Sequence, residues 1–148
     1  MSSDKPTNPK DILAVSKLPP HLVPSTMVVY AAMAFTEGAA KYGAYNWRDA
    51  GVRASVYISA LERHLAKWKN GEDIDPTTRV HHLASALACI GIILDADLCG
   101  KLTDDRPIPA PVGVLIDAAE PIVQRLQGMF ADRTPLHRTL ENFPDGVA

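Results

Sequence analysis

The sequence predicts an all-α fold, a compact helical bundle with an extended proline-rich N-terminal arm, on three observations. Apolar side chains recur at helical spacing in three segments between residues 25 and 100. A glycine stands just past each segment, at Gly43, Gly71 and Gly100, and proline clusters bound the whole stretch on both sides.

Each element follows from local chemistry. Residues 1–24 carry Pro6, Pro9, Pro19, Pro20 and Pro24, each fixing its own φ and removing a backbone donor, so helix is disfavoured throughout and an extended arm is expected. Ser25 and Thr26 can cap a first helix whose run Met27, Val28, Val29, Ala31, Met33 and Phe35 is apolar enough to be buried nearly all round. The loop YGAYNWRDAG follows, dense in aromatic and hydrogen-bonding side chains. A second helix is expected from about Val52 to Asn70, with Tyr57, Leu61, His64, Leu65 and Trp68 on its inward face. A third is expected to start at Asp75-Pro76, an acidic cap before a first-turn proline, and to reach Leu98. Its small residues Ala84, Ser85, Ala86, Ala88 and Gly91 favour close helix approach, within one chain or in a homo-oligomer. Lys101–Pro111 reads as a linker, and 112–131 as helix broken or kinked at Pro121. The expected organisation is an arm (1–24), a ligand-binding helical core (25–100), a linker (101–111) and a C-terminal extension with its tail (112–148).

Composition narrows the partners. With 15 Lys and Arg against 17 Asp and Glu, the formal charge of -2 offers no global attraction for long nucleic acid or an anionic membrane. Cys89 and Cys99 are too few for a disulfide-stapled secreted domain, and no segment reads as a signal peptide or a membrane span, so the expected location is cytoplasmic. Any polyanionic partner is then small or met by a local patch.

Local groups suggest such a patch. Lys10 and Lys17 lie on the arm, and Lys41, Arg48 and Arg63 lie in or beside the first two helices, where charge and bidentate geometry suit phosphate. Tyr42, Tyr45, Asn46 and Trp47 either close the end of the bundle or stack on and read a base. Glu37 and Lys41, one helical turn apart, are either a surface pair or a base beside a phosphate contact. His64 and Trp68 share the apolar face of the second helix, where His64 is either a satisfied core residue or a ligand contact. His81 and His82 are adjacent, and side chains about 100° apart on a helix cannot both face one site. Glu72 is a free carboxylate after the second helix, whereas Asp75 has a capping task.

The strings EGAAKYGAYNWRDAG at 37–51, LERHLAKWKNGEDIDP at 61–76 and RVHHLASALA at 79–88, with NPKD at 8–11 and SKLPPHLVP at 16–24, resemble a phage and prophage family, the N-terminal domain of dATP/dGTP diphosphohydrolases. The resemblance covers roughly the first two thirds of the chain. It implies a nucleotide-related role and association with all-α pyrophosphohydrolases of the MazG type, whose helices the core would then resemble. Such chemistry uses Mg²⁺ or Mn²⁺ held by ExxE and ExxD carboxylates on facing helices. Here His82 and Ser85 stand where the second acidic pair would be, and Glu62 is flanked by Ser59 and Ala66 at the neighbouring turns.

Two functions follow as expectations. One is a nucleoside-triphosphate diphosphohydrolase releasing pyrophosphate from a purine nucleotide, with Glu37, Glu62 and Glu72 as catalytic candidates and Glu62, Glu72 and His82 as metal ligands. The other is a non-catalytic binder, needing no cofactor, that sequesters a nucleotide or cyclic nucleotide immune signal; for a phage-encoded chain the setting would be the host cytoplasm.

Overall fold

The computed structural model describes residues 8–14 and 16–143. Among the described residues, six α-helices and two two-residue strands run in the order α1 (Pro9–Ala14), α2 (Ser25–Tyr42), α3 (Asn46–Ala50), β1 (Val52–Arg53), α4 (Ala54–Lys69), α5 (His82–Leu98), β2 (Leu102–Thr103) and α6 (Val112–Met129). The fold is all-α in character, as expected.

The arm is not extended throughout. Pro9 opens α1, a position where the missing N–H would be unpaired anyway. Asn8 Oδ1 accepts the Lys10 amide at 3.0 Å while Asp11 accepts the Asn8 amide at 3.0 Å, a reciprocal cap that outweighs the surrounding prolines. A 3-10 turn at Pro20–Leu22 uses proline in the same way.

The core lies between α2, α4 and α5. α5 is central, with Ala84, Ala86, Ala88 and Ala96 buried, so its small-residue face is spent within the chain. Phe35 fills the space beside Gly91, where a Cβ would lie 3.2 Å from the ring. α2 corrects the expectation of near-complete burial. Of its residues only Ala34 is buried, and Met27, Val28, Val29 and Met33 are exposed because no described element covers that face. Its cap position is held by Pro24, with Ser25 and Thr26 already inside the helix.

The third helix begins later than expected. Asp75 does cap, its Oδ1 accepting the amides of Thr77 and Thr78 at 2.9 Å, but Arg79 then adopts a left-handed φ of 62° and ends the turn. Val80 returns through its carbonyl to the Asp75 amide, and α5 starts only at His82 with His81 as its cap.

The second helix is likewise shortened, because Val52 and Arg53 form a parallel pairing with Leu102 and Thr103. Asp105 accepts the amide and hydroxyl of Ser55, at 2.8 and 2.6 Å, and so serves the first turn of α4 from fifty residues away. Gly51, at φ 77°, makes the close approach possible: a Cβ there would lie 2.9 Å from the Lys101 carbonyl oxygen. Gly51→Ala is therefore expected to destabilise the chain by more than about 1 kcal/mol, readable as a lowered midpoint in urea.

α3 occupies the loop and delivers Trp47 to the core. Its indole N–H donates to Asp95 at 2.6 Å, and Arg48 donates to the same carboxylate through Nε at 2.8 Å and Nη2 at 2.7 Å. These donors offset a negative charge near the C-terminal end of α5, where the helix dipole opposes it. They hold the Asp95 carboxyl at about 2, with Arg48 the larger cause and Trp47 the next. A depressed carboxyl stabilises the fold above its unfolded value near 3.8 and loses that contribution as pH falls through the folded value. Asp95→Asn should thus melt lower than the parent at pH 7, with the gap narrowing below about pH 3; thermal melts across pH check this.

Of the two pieces or a kink expected at Pro121, α6 overturns the two pieces. It is one continuous helix, and Asp117, whose carbonyl loses its helical donor at residue 121, is exposed so that water can replace it. Beyond it a 3-10 turn, Leu140–Asn142, brings Leu140 against Gly71. Among the described residues no helix is long and apolar enough to cross a membrane.

Candidate functional site

α2, α4 and α5 each contribute one helical stripe to an open cavity of about 450 Å³, within the size range of small-ligand sites. From α2 come Glu37, Lys41 and Tyr42; from α4, Tyr57 and His64; from α5, Ser85 and Cys89. Asn46 of α3 and Asp75 and Thr78 of the 72–81 turn complete the rim.

Behind this wall runs a chain of three titratable side chains. His82 is fully buried, and its Nδ1 lies 3.0 Å from Nδ1 of His64 while its Nε2 lies 2.8 Å from Glu72 Oε1. The backbone fixes His82 as well, its amide donating to the Asp73 carbonyl at 2.9 Å. Burial first, and then the neighbouring His82 ring, lower the His64 pKa from the usual imidazole value. With one proton on each ring the hydrogen bonds have a single solution, assigned from the network. His82 donates from Nε2 to Glu72, and its bare Nδ1 accepts from Nδ1–H of His64. His64 Nε2 is then left as a lone-pair acceptor. It has no partner among the described residues, and since no buried side-chain nitrogen or oxygen there lacks one, it is open to solvent.

Other charges are locally compensated. Glu72, exposed at its outer edge, is held below the ordinary carboxylate range by the His82 hydrogen bond and then by Lys67, 3.5 Å away. Asp75 is lowered by the amides of Thr78 and Thr77. Lys41 is paired with Glu37 and raised by it. Burial pushes up the Tyr57 phenol and the Cys89 thiol, the latter partly countered by Arg63.

The residues singled out from sequence therefore divide. Glu37, Lys41, Tyr42, Asn46 and His64 line the cavity, and Glu72 reaches it through His82. Tyr45, Trp47 and Arg48 form a separate cluster: Arg48 stacks over Tyr45 at 4.6 Å and the two aromatic rings lie 5.4 Å apart. Lys10 and Lys17 are exposed on the N-terminal segment, and Glu62, Arg63 and Trp68 are exposed on α4 outside the lining. Sequence reasoning overlooked Tyr57, Thr78, Ser85 and Cys89 as cavity residues and gave Asp75 a structural task alone. The spacing of Tyr57 and Ser85 relative to His64 and His82, seven and three residues, was the available signal.

This donor set does not meet the needs of a divalent metal. Glu72 and His82 are engaged with each other, Glu62 lies off the cavity, and Glu37 is paired with Lys41. Among the described residues no three His, Cys, Asp or Glu side chains converge to hold a metal ion. The groups of one chain do not fit a metal cage.

A family model described as dATP/dGTP diphosphohydrolase, N-terminal, matches residues 7–106. No curated protein and no solved structure matches the chain.

Proposed function

The chain belongs to the dATP/dGTP diphosphohydrolase N-terminal family, and from that membership we propose that it binds a purine nucleoside triphosphate in the cavity and hydrolyses it to a monophosphate and pyrophosphate. The observation that supports catalysis is the Glu72–His82–His64 chain of contacts ending at a residue that lines the cavity; with one proton on each ring, Nε2 of His64 keeps its lone pair there. A general base needs a proton-free lone pair at working pH and a partner that fixes its tautomer.

In this reading, His64 Nε2 takes a proton from water as the water oxygen bonds to the α-phosphorus. The bond from that phosphorus to the α,β-bridging oxygen breaks, and pyrophosphate leaves with the electron pair. His64 becomes an imidazolium whose Nδ1–H still donates to His82, and Glu72 at the far end stabilises the positive charge. Lys41 supplies a cation to the phosphates, and the Tyr42 and Tyr57 rings offer faces for the base.

A second reading is a non-catalytic binder that sequesters a nucleotide or cyclic nucleotide signal. It is favoured by one observation, that the chain's own carboxylates are spent on internal partners. Incubating the purified chain with a panel of NTPs, dNTPs and cyclic dinucleotides, with and without Mg²⁺ or Mn²⁺, separates the two. Equimolar monophosphate and pyrophosphate from a purine substrate supports hydrolysis. Bound nucleotide recovered intact after heat denaturation overturns hydrolysis in favour of sequestration.

A further inference from the structure

The chain exposes more surface than a compact monomer of its mass. It totals 12560 Å² for 16.0 kDa, whereas a folded monomer of that mass exposes about 7,400 Å². The difference exceeds the surface that a standard-size interface hides on one partner, about 800 Å².

Two apolar surfaces lie within that exposed area. α6 carries Val112, Leu115, Ile122, Leu126 and Met129 on one stripe at helical spacing, each 49–70% exposed, and makes no extensive contact with another described element. The outer face of α2 with α5 holds two adjoining grooves, of about 270 and 380 Å³, walled by Met27, Val28, Phe35 and Leu87. One surface is a ridge about 27 Å long, at 1.5 Å per residue, and the other is a trough. The connection between them, residues 104–111, carries Pro107, Pro109 and Pro111. Each of these prolines fixes its own φ and so limits the ways the segment can bend.

We infer that a second copy of this chain covers both surfaces, with α6 of each copy seated in the α2–α5 trough of the other. A copy is the occupant that satisfies ridge and trough at once, and a reciprocal exchange of this kind closes under two-fold symmetry without leaving an open end. A lipid surface fits α6 less well, because its polar side carries Asp117 and Glu120 against Arg125 and so offers no cationic face to anionic headgroups. The inference is independent of which nucleotide, if any, enters the cavity.

The test is the mass of the intact chain in solution by light scattering after size exclusion. The wild type is expected at twice 16.0 kDa or a higher even multiple. Ile122→Asp and Leu115→Asp on α6, and Val28→Asp in the trough, should each reduce the mass to that of one chain with the helical circular dichroism retained. Mixing the Ile122→Asp and Val28→Asp chains should restore a two-chain species, since the intact α6 of one meets the intact trough of the other. A monomeric wild type, with or without affinity for anionic vesicles, overturns the proposal. So does a multimer unmoved by the substitutions, or one in which Val28→Asp has no effect, because α6 would then pair elsewhere.

Discussion

Replacing His64 by Gln is expected to lower the turnover of a purine triphosphate by about 10²–10⁴-fold, the usual contribution of a positioned general base, while leaving nucleotide affinity within a few-fold. Gln retains a side-chain donor that can reach Nδ1 of His82, so the buried end of the relay keeps a partner; what it lacks is a basic lone pair at the cavity. The pH profile carries the same information. A base acts in its unprotonated form, and burial together with the His82 ring lowers the His64 value. Turnover should rise with pH through an apparent value below about 6.5 and be flat from neutrality upward. Steady-state kinetics from pH 4.5 to 8.5, with isothermal titration for affinity, check both. If the variant keeps turnover within a factor of three, His64 is not the base.

The second large effect is on stability. Trp47→Ala removes a buried indole that touches Phe35, with ring centres 5.8 Å apart, and that donates to Asp95. Truncating a buried Trp costs about 3–5 kcal/mol, which for a chain of this size is a fall in Tm on the order of 10 °C. Trp47→Phe should fall between the variant and the parent, since it keeps much of the packing while losing the N–H and part of the ring. Calorimetry at pH 7 measures all three, and a Trp47→Ala loss under 1 kcal/mol would show that α3 does not anchor α5.

Helical periodicity made much of this legible in the sequence. Glu37 and Lys41, one turn apart, and His64 on the apolar face of α4 do come to one cavity wall, because the stripe that faces the core also faces the gap left in it. The partner of His64 was not legible. His82 lies eighteen residues away, and its position depends on Arg79 leaving the helical region, which delays α5 by six residues relative to the Asp75-Pro76 start signal. That start signal is chemically real, since Asp75 accepts two amides, but it caps a turn that never propagates.

Trp47 and Arg48 show the converse. Their residue types suit a base and a phosphate, yet they are consumed by Asp95, a carboxylate that the helix dipole disfavours near the C-terminus of α5. For α2 and α6 the pattern identifies an apolar face without identifying what covers it. Burial is a property of the assembly, and one chain's sequence states only the demand for it.

The account turns on which ring nitrogens of His64 and His82 carry protons, and ¹⁵N-resolved NMR of the two imidazoles at pH 7 reads this directly. The predicted spectrum has His64 protonated at Nδ1 alone and His82 at Nε2 alone, with His64 titrating below the ordinary imidazole value. A His64 protonated at Nε2 would present a donor to the cavity where a base is required, and would contradict the mechanism.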